Sequence, residues 1–380
     1  MTPTEAVFLA TQRTRHPSHR TRFTSSSSFY DFMNDLDLTT HIINFDSDDF
    51  RTHQYFTIRT PRRVLSPIPW PAGEQPAPDK LSSHSSNKPL PHCDILIVTW
   101  TVEEAKALSD VLTPGFNSKT AWYHYTKNFD SYKPMLTARS PARESNRLGS
   151  YFVTKIKAKT LLCFKSELHM STDGIALPIR TLWQQIIAES MPGIVITTGT
   201  AGGIGANANL GDVAISGKVR FDCTKTFKKQ NFAQEAFVAE TSLKIPTNTP
   251  VTKALLAANS GQLPVNSPSP AFFNDINSYT KIPGIVTTDF FAFDSIEDTY
   301  KLQELGSAVE MGDAVLPMVV QGMKSNKPAW ICIRNASDPQ IKDRVSLEEQ
   351  KKKAAQIYEQ YGYWTTVCSA IACWALAVGN

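Results

Sequence analysis

Residues 194–205 read IVITTGTAGGIG: an aliphatic, β-branched run that opens directly into glycines. The first half has the composition of a buried strand, and the glycines let backbone N–H groups approach an anion or a sugar without interference from a Cβ. A dinucleotide-binding turn is the first alternative. The spacing is not GxGxxG, however, and residues 210–213, LGDV, begin another strand too soon for the crossover helix of a βαβ unit. A strand ending in a glycine turn, with a second strand close behind it, is therefore the feature the fold must be built around.

Working outward, strand-length apolar runs alternate with helix-length amphipathic segments, the pattern of an α/β domain. The reading predicts strands at 95–100, 151–164, 193–198, 212–216, 284–288, 307–310 and 329–334. Helices are predicted at 102–111, 177–189, 252–258, 295–304, 314–324 and, longest, 347–378. The helix at 102–111 must stop before Pro114, because proline disfavours helical geometry in the residue preceding it. Residues 123–147 are aromatic, basic and broken by proline, and read as hairpins and loops forming an insertion at about 115–150.

The N-terminal quarter has a different texture. Residues 25–28 are a serine run and 67–91 are dense in Pro and Ser, the composition of a linker. Short extended pieces at 41–50 and 54–58 are expected to contact a partner subunit or cover the main domain, with solvated disorder the alternative. The domain expectation is an arm and linker over 1–90 and one α/β domain over 91–380. The first thirty residues are rich in Arg and Ser, with Glu5 their only acid, but Asp31, Asp35 and Asp37 follow at once, which favours an ordinary arm over a targeting signal.

Composition narrows the function classes. The chain has 380 residues, 41% of them hydrophobic, and 39 basic against 35 acidic residues, so its net charge is only +4. The basic residues are dispersed, which argues against a nucleic-acid groove or an anionic membrane surface as partner. The six cysteines form no CxxC pair and no Cys/His cluster, so no metal site is expected and buried reduced thiols in a cytoplasmic protein are. The apolar run at 363–378 is shorter than a bilayer span and reads as a buried C-terminal helix.

Several short motifs, in order along the chain, resemble those of the nucleoside phosphorylase and nucleosidase superfamily. Residues 198–203, TGTAGG, with 210–213, LGDV, resemble that family's glycine turn and following strand, so Thr200, Ala201 and Gly202 are implied to lie beside the ribose and the phosphate or water. Residues 307–313, SAVEMGD, resemble the family's AVEME segment. By that resemblance Met311 packs under the ribose and Glu310 belongs to the same site, but Gly312 stands where the family has a second glutamate, so ribose recognition is expected to shift to Asp313 or to be altered.

Residues 334–338, RNASD, resemble the family's SD motif, whose aspartate protonates N7 of a departing purine; Asp338 is the implied general acid. Purines leave poorly as anions, so protonation as the C1′–N9 bond stretches lowers the barrier. As a local reading, an aspartate before Pro339 also caps turns. Residues 101–108, TVEEAKAL, resemble the nucleosidase segment whose glutamate activates water, implying Glu104. An acidic first helical turn is equally what the macrodipole favours. In 287–293, TTDFFAF, Phe291 is the ring aligned with the family's base-stacking Phe, although Phe290, Phe291 and Phe293 all suit a core. His169, in the loop 165–174, is the candidate contact to phosphate or the ribose 5′ end. The basic residues Lys218, Arg220, Lys225, Lys228 and Lys229 are held as a candidate 5′-phosphate site.

The resemblance implies a three-layer α/β fold with a central mixed, partly barrel-like sheet flanked by helices, no cofactor, and a homo-oligomer. It also implies hydrolysis of the N-glycosidic bond of a purine nucleoside or nucleotide. Phosphate-dependent phosphorolysis and a non-catalytic nucleotide-binding or sensing module are the alternatives.

Overall fold

The computed structural model describes residues 64–380 except 242, 244, 246–247, 260–261, 264–271 and 275–281. Strands β1 (Ala77–Asp79) and β2 (Ile95–Thr99) lead into helix α1 (Val102–Leu112). Thr101 accepts from the Glu104 amide while the Glu104 side chain returns to the Thr101 amide, a capping box that starts α1 where the apolar strand ends. Strand β3 (Tyr123–Tyr125) and short helices α2 (Phe129–Tyr132) and α3 (Pro141–Ser145) form the insertion. It is more helical than the hairpins expected, but β3 pairs antiparallel with the next strand and ties it to the sheet.

The single strand expected at 151–164 is a hairpin, β4 (Gly149–Ile156) and β5 (Lys159–Ser166). Its turn is made by Lys157, which takes a left-handed φ of 54°. The apolar character runs straight through both strands and hid the reversal. Helix α4 (Pro178–Ser190) then feeds β6 (Ile194–Gly203). The rest of the chain supplies β7 (Val213–Ser216), β8 (Lys218–Asp222), β9 (Ala236–Val238), α5 (Thr249–Asn259), β10 (Phe272–Asn274), β11 (Ile285–Thr288), β12 (Ala308–Glu310), α6 (Val315–Gly322), β13 (Ala329–Asp338) and α7 (Leu347–Gly379). The helix expected at 295–304 does not form. Asp298 and Lys301 have φ of 46° and 53°, Ser295 bridges to Ile341, and one 3-10 turn at Leu302–Glu304 remains.

Among the described residues the strands make one mixed sheet that branches at β6. Its first half lies parallel to β2, its glycine end pairs antiparallel with β12, and β13 runs parallel along its whole length. One branch continues β12-β11-β8-β9 and the other β13-β7-β10. Helices α4 and α6 cover one face; α1, α5 and α7 cover the other, so the domain is three-layered.

Helix α7 is long and apolar enough to cross a membrane by length and composition, but its apolar stretch is 89% buried inside the protein. All six cysteines are buried and free. The segment expected as a linker is partly built in: β1 pairs with β4, Trp70 packs on Trp374 at 4.6 Å, and the Trp374 indole donates to the Glu74 carbonyl at 2.7 Å. The pieces at 41–50 and 54–58 lie outside the described residues. Trp70→Ala is therefore expected to cost about 2 kcal/mol and lower Tm by several degrees in calorimetry. An unchanged Tm would mean that this segment is only a tether.

Candidate active site

The β6 glycine turn is held from behind by Glu104. One carboxylate oxygen accepts from the Thr99 hydroxyl and from the Trp100 and Thr101 amides, and the other accepts from the amide and hydroxyl of Thr200. Burial raises the carboxyl pKa, but Arg334 and these donors outweigh it, and Glu104 is held below the usual range as a fixed anion. Gly199 must be glycine: its φ is +140° and a Cβ there would strike the Glu104 carboxylate.

Alongside the turn, β13 brings two groups. Arg334 is buried and grips Asp313 through two nitrogens, Nε at 2.9 Å and a terminal nitrogen. It also donates to the Thr200 carbonyl at 3.3 Å and lies 4.9 Å over the Trp100 ring. Four residues on, Asp338 pairs with Gly202 across a bulge at Ser337, and bulges of this kind re-aim side chains. A Cβ on Gly202 would come within 3.1 Å of Asp338 Oδ2, so the glycine is what lets the carboxyl lie against the turn. Among the described residues only the Ser337 hydroxyl donates to Asp338, at 2.9 Å, and burial pushes its pKa up to about 7.

The loop that follows Asp338 is fixed by Asp294, whose carboxylate accepts from the Gly205 amide at 2.8 Å and from Gln340 Nε2 at 2.9 Å. The Asp294 carbonyl accepts from the Ile341 amide at 2.9 Å. On β12, Glu310 accepts from Thr287 and from the Gly312 and Asp313 amides. Burial first, and then the charge of Asp313, push its pKa up.

These groups line one cavity, with Thr200, Ala201, Gly202, Glu104, Phe291, Glu310, Met311, Asp338 and His169 all on its wall. Of the candidates read from the sequence motifs, Asp313 is absent from it, as are the five basic residues proposed for a 5′-phosphate. The expectation that Asp313 takes over ribose recognition is corrected: its carboxylate is 0% exposed and is occupied by Arg334. His169 is no solvated loop side chain. It is buried, its Nδ1 accepts from the Ser171 amide at 3.2 Å, and burial lowers its pKa to about 4, so it is neutral.

None of the basic residues Lys218, Arg220, Lys225, Lys228 and Lys229 lines the cavity, which removes them as a 5′-phosphate site there. The cavity is narrow, about 60 Å³, so a nucleoside enters only as lining side chains shift.

Sequence reasoning missed Arg334, Trp100, Ser337, Tyr358 and Asp294. Arg334 had a signal, since it stands four residues before Asp338 in one strand and the two-residue strand period puts both on one face. Tyr358 had none: it reaches the wall from α7, far along the chain, with its hydroxyl donating to Thr101 Oγ1 at 3.1 Å.

A branched mixed sheet with an acid, a glycine turn and a neutral histidine around one cleft is an α/β enzyme-type site. The chain belongs to the phosphorylase superfamily, whose family model matches residues 95–360. Its fold is similar to that of the 5′-methylthioadenosine/S-adenosylhomocysteine nucleosidase of Colwellia psychrerythraea, solved with adenine: 16% identity and a TM-score of 0.45, over 76% of this chain and 95% of that one. The nucleosidase of the same description from Neisseria meningitidis, solved with methylthio-immucillin-A, gives 16% and 0.44, over 75% and 99%. The futalosine hydrolase of Helicobacter pylori gives 14% and 0.43, over 75% and 97%. No curated protein sequence matches the chain.

The buried ion pair yields a prediction. Asp313→Ala strands the Arg334 charge and is expected to destabilise the fold by about 3–5 kcal/mol in urea denaturation. Were Asp313 a sugar ligand instead, stability would be kept and only KM would rise.

Proposed function

We propose that this protein hydrolyses the N-glycosidic bond of a purine nucleoside, releasing the free base and a ribose product. The observation that carries this reading is Asp338: a buried carboxyl with its pKa raised to about 7, lying against the glycine turn in a cavity it shares with Met311 and Phe291. Such a group still holds a proton near neutrality and can deliver it to N7 as the glycosidic bond stretches, so the base departs neutral. Phe291 offers a ring face to the flat base and Met311 an apolar support to the sugar. The sugar gains positive charge as the bond breaks, and Glu104, held ionised by Arg334 and its hydrogen-bond donors, is a preorganised anion for that charge.

Water is the nucleophile this wall favours. The Thr200 hydroxyl, which donates to Glu104, keeps its lone pairs for a water proton and can relay it to that carboxylate. Oxygen adds to C1′, the C1′–N9 pair goes to the base, and Asp338 regains its proton from solvent. Phosphate is disfavoured because Arg334, the one Lys or Arg side chain on the wall among the described residues, is already matched by Asp313, with Glu310 and Glu104 close by.

The test is chromatography for free base after incubation with purine nucleosides, with and without phosphate. Release should be independent of phosphate and should fall about tenfold per pH unit above about 7, as Asp338 loses its proton. Asp338→Asn should reduce release by at least roughly 10²-fold. The same substitution should stabilise the fold in alkali. A carboxyl whose pKa is raised on folding costs stability progressively from its unfolded value of about 4 up to about 7, and the full cost persists above that. The variant should therefore melt above the wild type at pH 8 and close to it at pH 4. Unchanged turnover in the variant, or release only when phosphate is supplied, would contradict the proposal.

A further inference from the structure

The glycines around the cavity are not all there for the same reason. Gly199 has a left-handed φ, a Cβ on Gly202 would come 2.9 Å from Val309 Cγ1, and one on Gly203 would come 2.9 Å from the Ala208 Cβ. Each is demanded by the backbone or by crowding. Gly312 is demanded by neither. Its φ lies outside the left-handed region, and a Cβ would meet Trp100 Cζ2 at 3.7 Å, Glu310 Oε2 at 3.8 Å and His169 Nε2 at 3.9 Å, all ordinary contacts. The fold has room for a side chain at 312 and leaves that room to something else.

What faces this space is donors. The Trp100 indole N–H is buried and has no hydrogen-bond partner among the described residues, a costly arrangement unless a ligand supplies the acceptor. The ring edge nearest Gly312 is the one next to that nitrogen. His169 accepts at Nδ1 from Ser171, so the proton of the neutral ring is on Nε2, the nitrogen that faces Gly312. The carboxylate beside them is already engaged: Glu310 Oε2 accepts from the Gly312 and Asp313 amides and from Arg334. A sugar oxygen here would thus find N–H donors to accept from, beside a Glu310 Oε2 already engaged by three donors.

The position suits the sugar. Trp100 stacks on Arg334, and Trp100 and His169 share the cavity wall with Asp338 and Phe291. With the base held at Asp338 and Phe291, the sugar is the part of a nucleoside left to face this space.

We propose that the space bounded by Gly312, Trp100 and His169 is a subsite for an acceptor-only oxygen on the sugar, an ether or ester at the 2′ or 3′ position, so that the natural substrate is a sugar-substituted purine nucleoside. This rests on the nucleosidase reading and goes beyond it by naming the substituent.

The test is calorimetric titration of the full chain carrying Asp338→Asn, which keeps the ligands intact, with adenosine, 2′-O-methyladenosine and 3′-O-methyladenosine. At least one ether should bind as tightly as adenosine or more tightly. Adding Trp100→Phe, which keeps the ring but removes the N–H, should weaken that ether by roughly 3- to 10-fold. Adding Gly312→Glu, which fills the space and supplies an acceptor, should weaken the ether at least tenfold more than it weakens adenosine. Adenosine binding at least tenfold tighter than both ethers before these changes would overturn the subsite and leave the nucleosidase reading standing. Binding of none of the three would overturn both.

Discussion

The parallel pairing of β6 with β13 is the constraint on which the rest of the structure depends. It runs from Ala329 opposite Ile194 to Asp338 opposite Gly202, and it delivers a glycine turn and a carboxyl to the same point from two distant parts of the chain. β6 then bends away at its glycines to pair with β12, so the apolar strand that builds the core also opens the cavity. Substituting Gly202 or Gly203 would push β6 away from Val309, Asp338 and Ala336, separating the groups the pairing brings together.

Around that pairing the charges are arranged to be rigid. Glu104 joins the start of α1 to the turn, Arg334 joins Asp313 to the Thr200 carbonyl, and Asp294 joins Gly205 to the loop beyond Asp338. These buried ions are satisfied by neighbours in good geometry, which is the condition under which burying them is tolerable. Asp338 differs: among the described residues Ser337 alone donates to it, which leaves burial to dominate its pKa. The same low-dielectric wall thus keeps Glu104 charged and Asp338 protonated, and the nearby Arg334 charge together with the number of donors decides which.

Much of this was legible in the sequence, and the parts that were not share a cause. The turn at 198–203 and the acid at 338 were readable because strand endings carry strong local signals: an apolar run, then glycines or a carboxylate. The capping box of Thr101 and Glu104 is likewise a local pattern. The hairpin at Lys157 was not readable, because two buried strands in succession give one continuous apolar run. Nor was the role of Asp313, since a carboxylate next to a motif reads the same whether it faces a ligand or an arginine 21 positions away. The helix expected at 295–304 failed because Asp294 and Ser295 are drawn to the loop after Asp338, a contact no local window contains.

Burial lifts the Asp338 carboxyl far above the range of an ordinary aspartate, and that shift is what the chemistry depends on. The carboxyl carbon of Asp338, assigned in NMR spectra by its disappearance in the Asp338→Asn variant, should titrate with a midpoint near 7. A midpoint near 4, the value of an ordinary aspartate, would mean the group is ionised at neutral pH and has no proton to give.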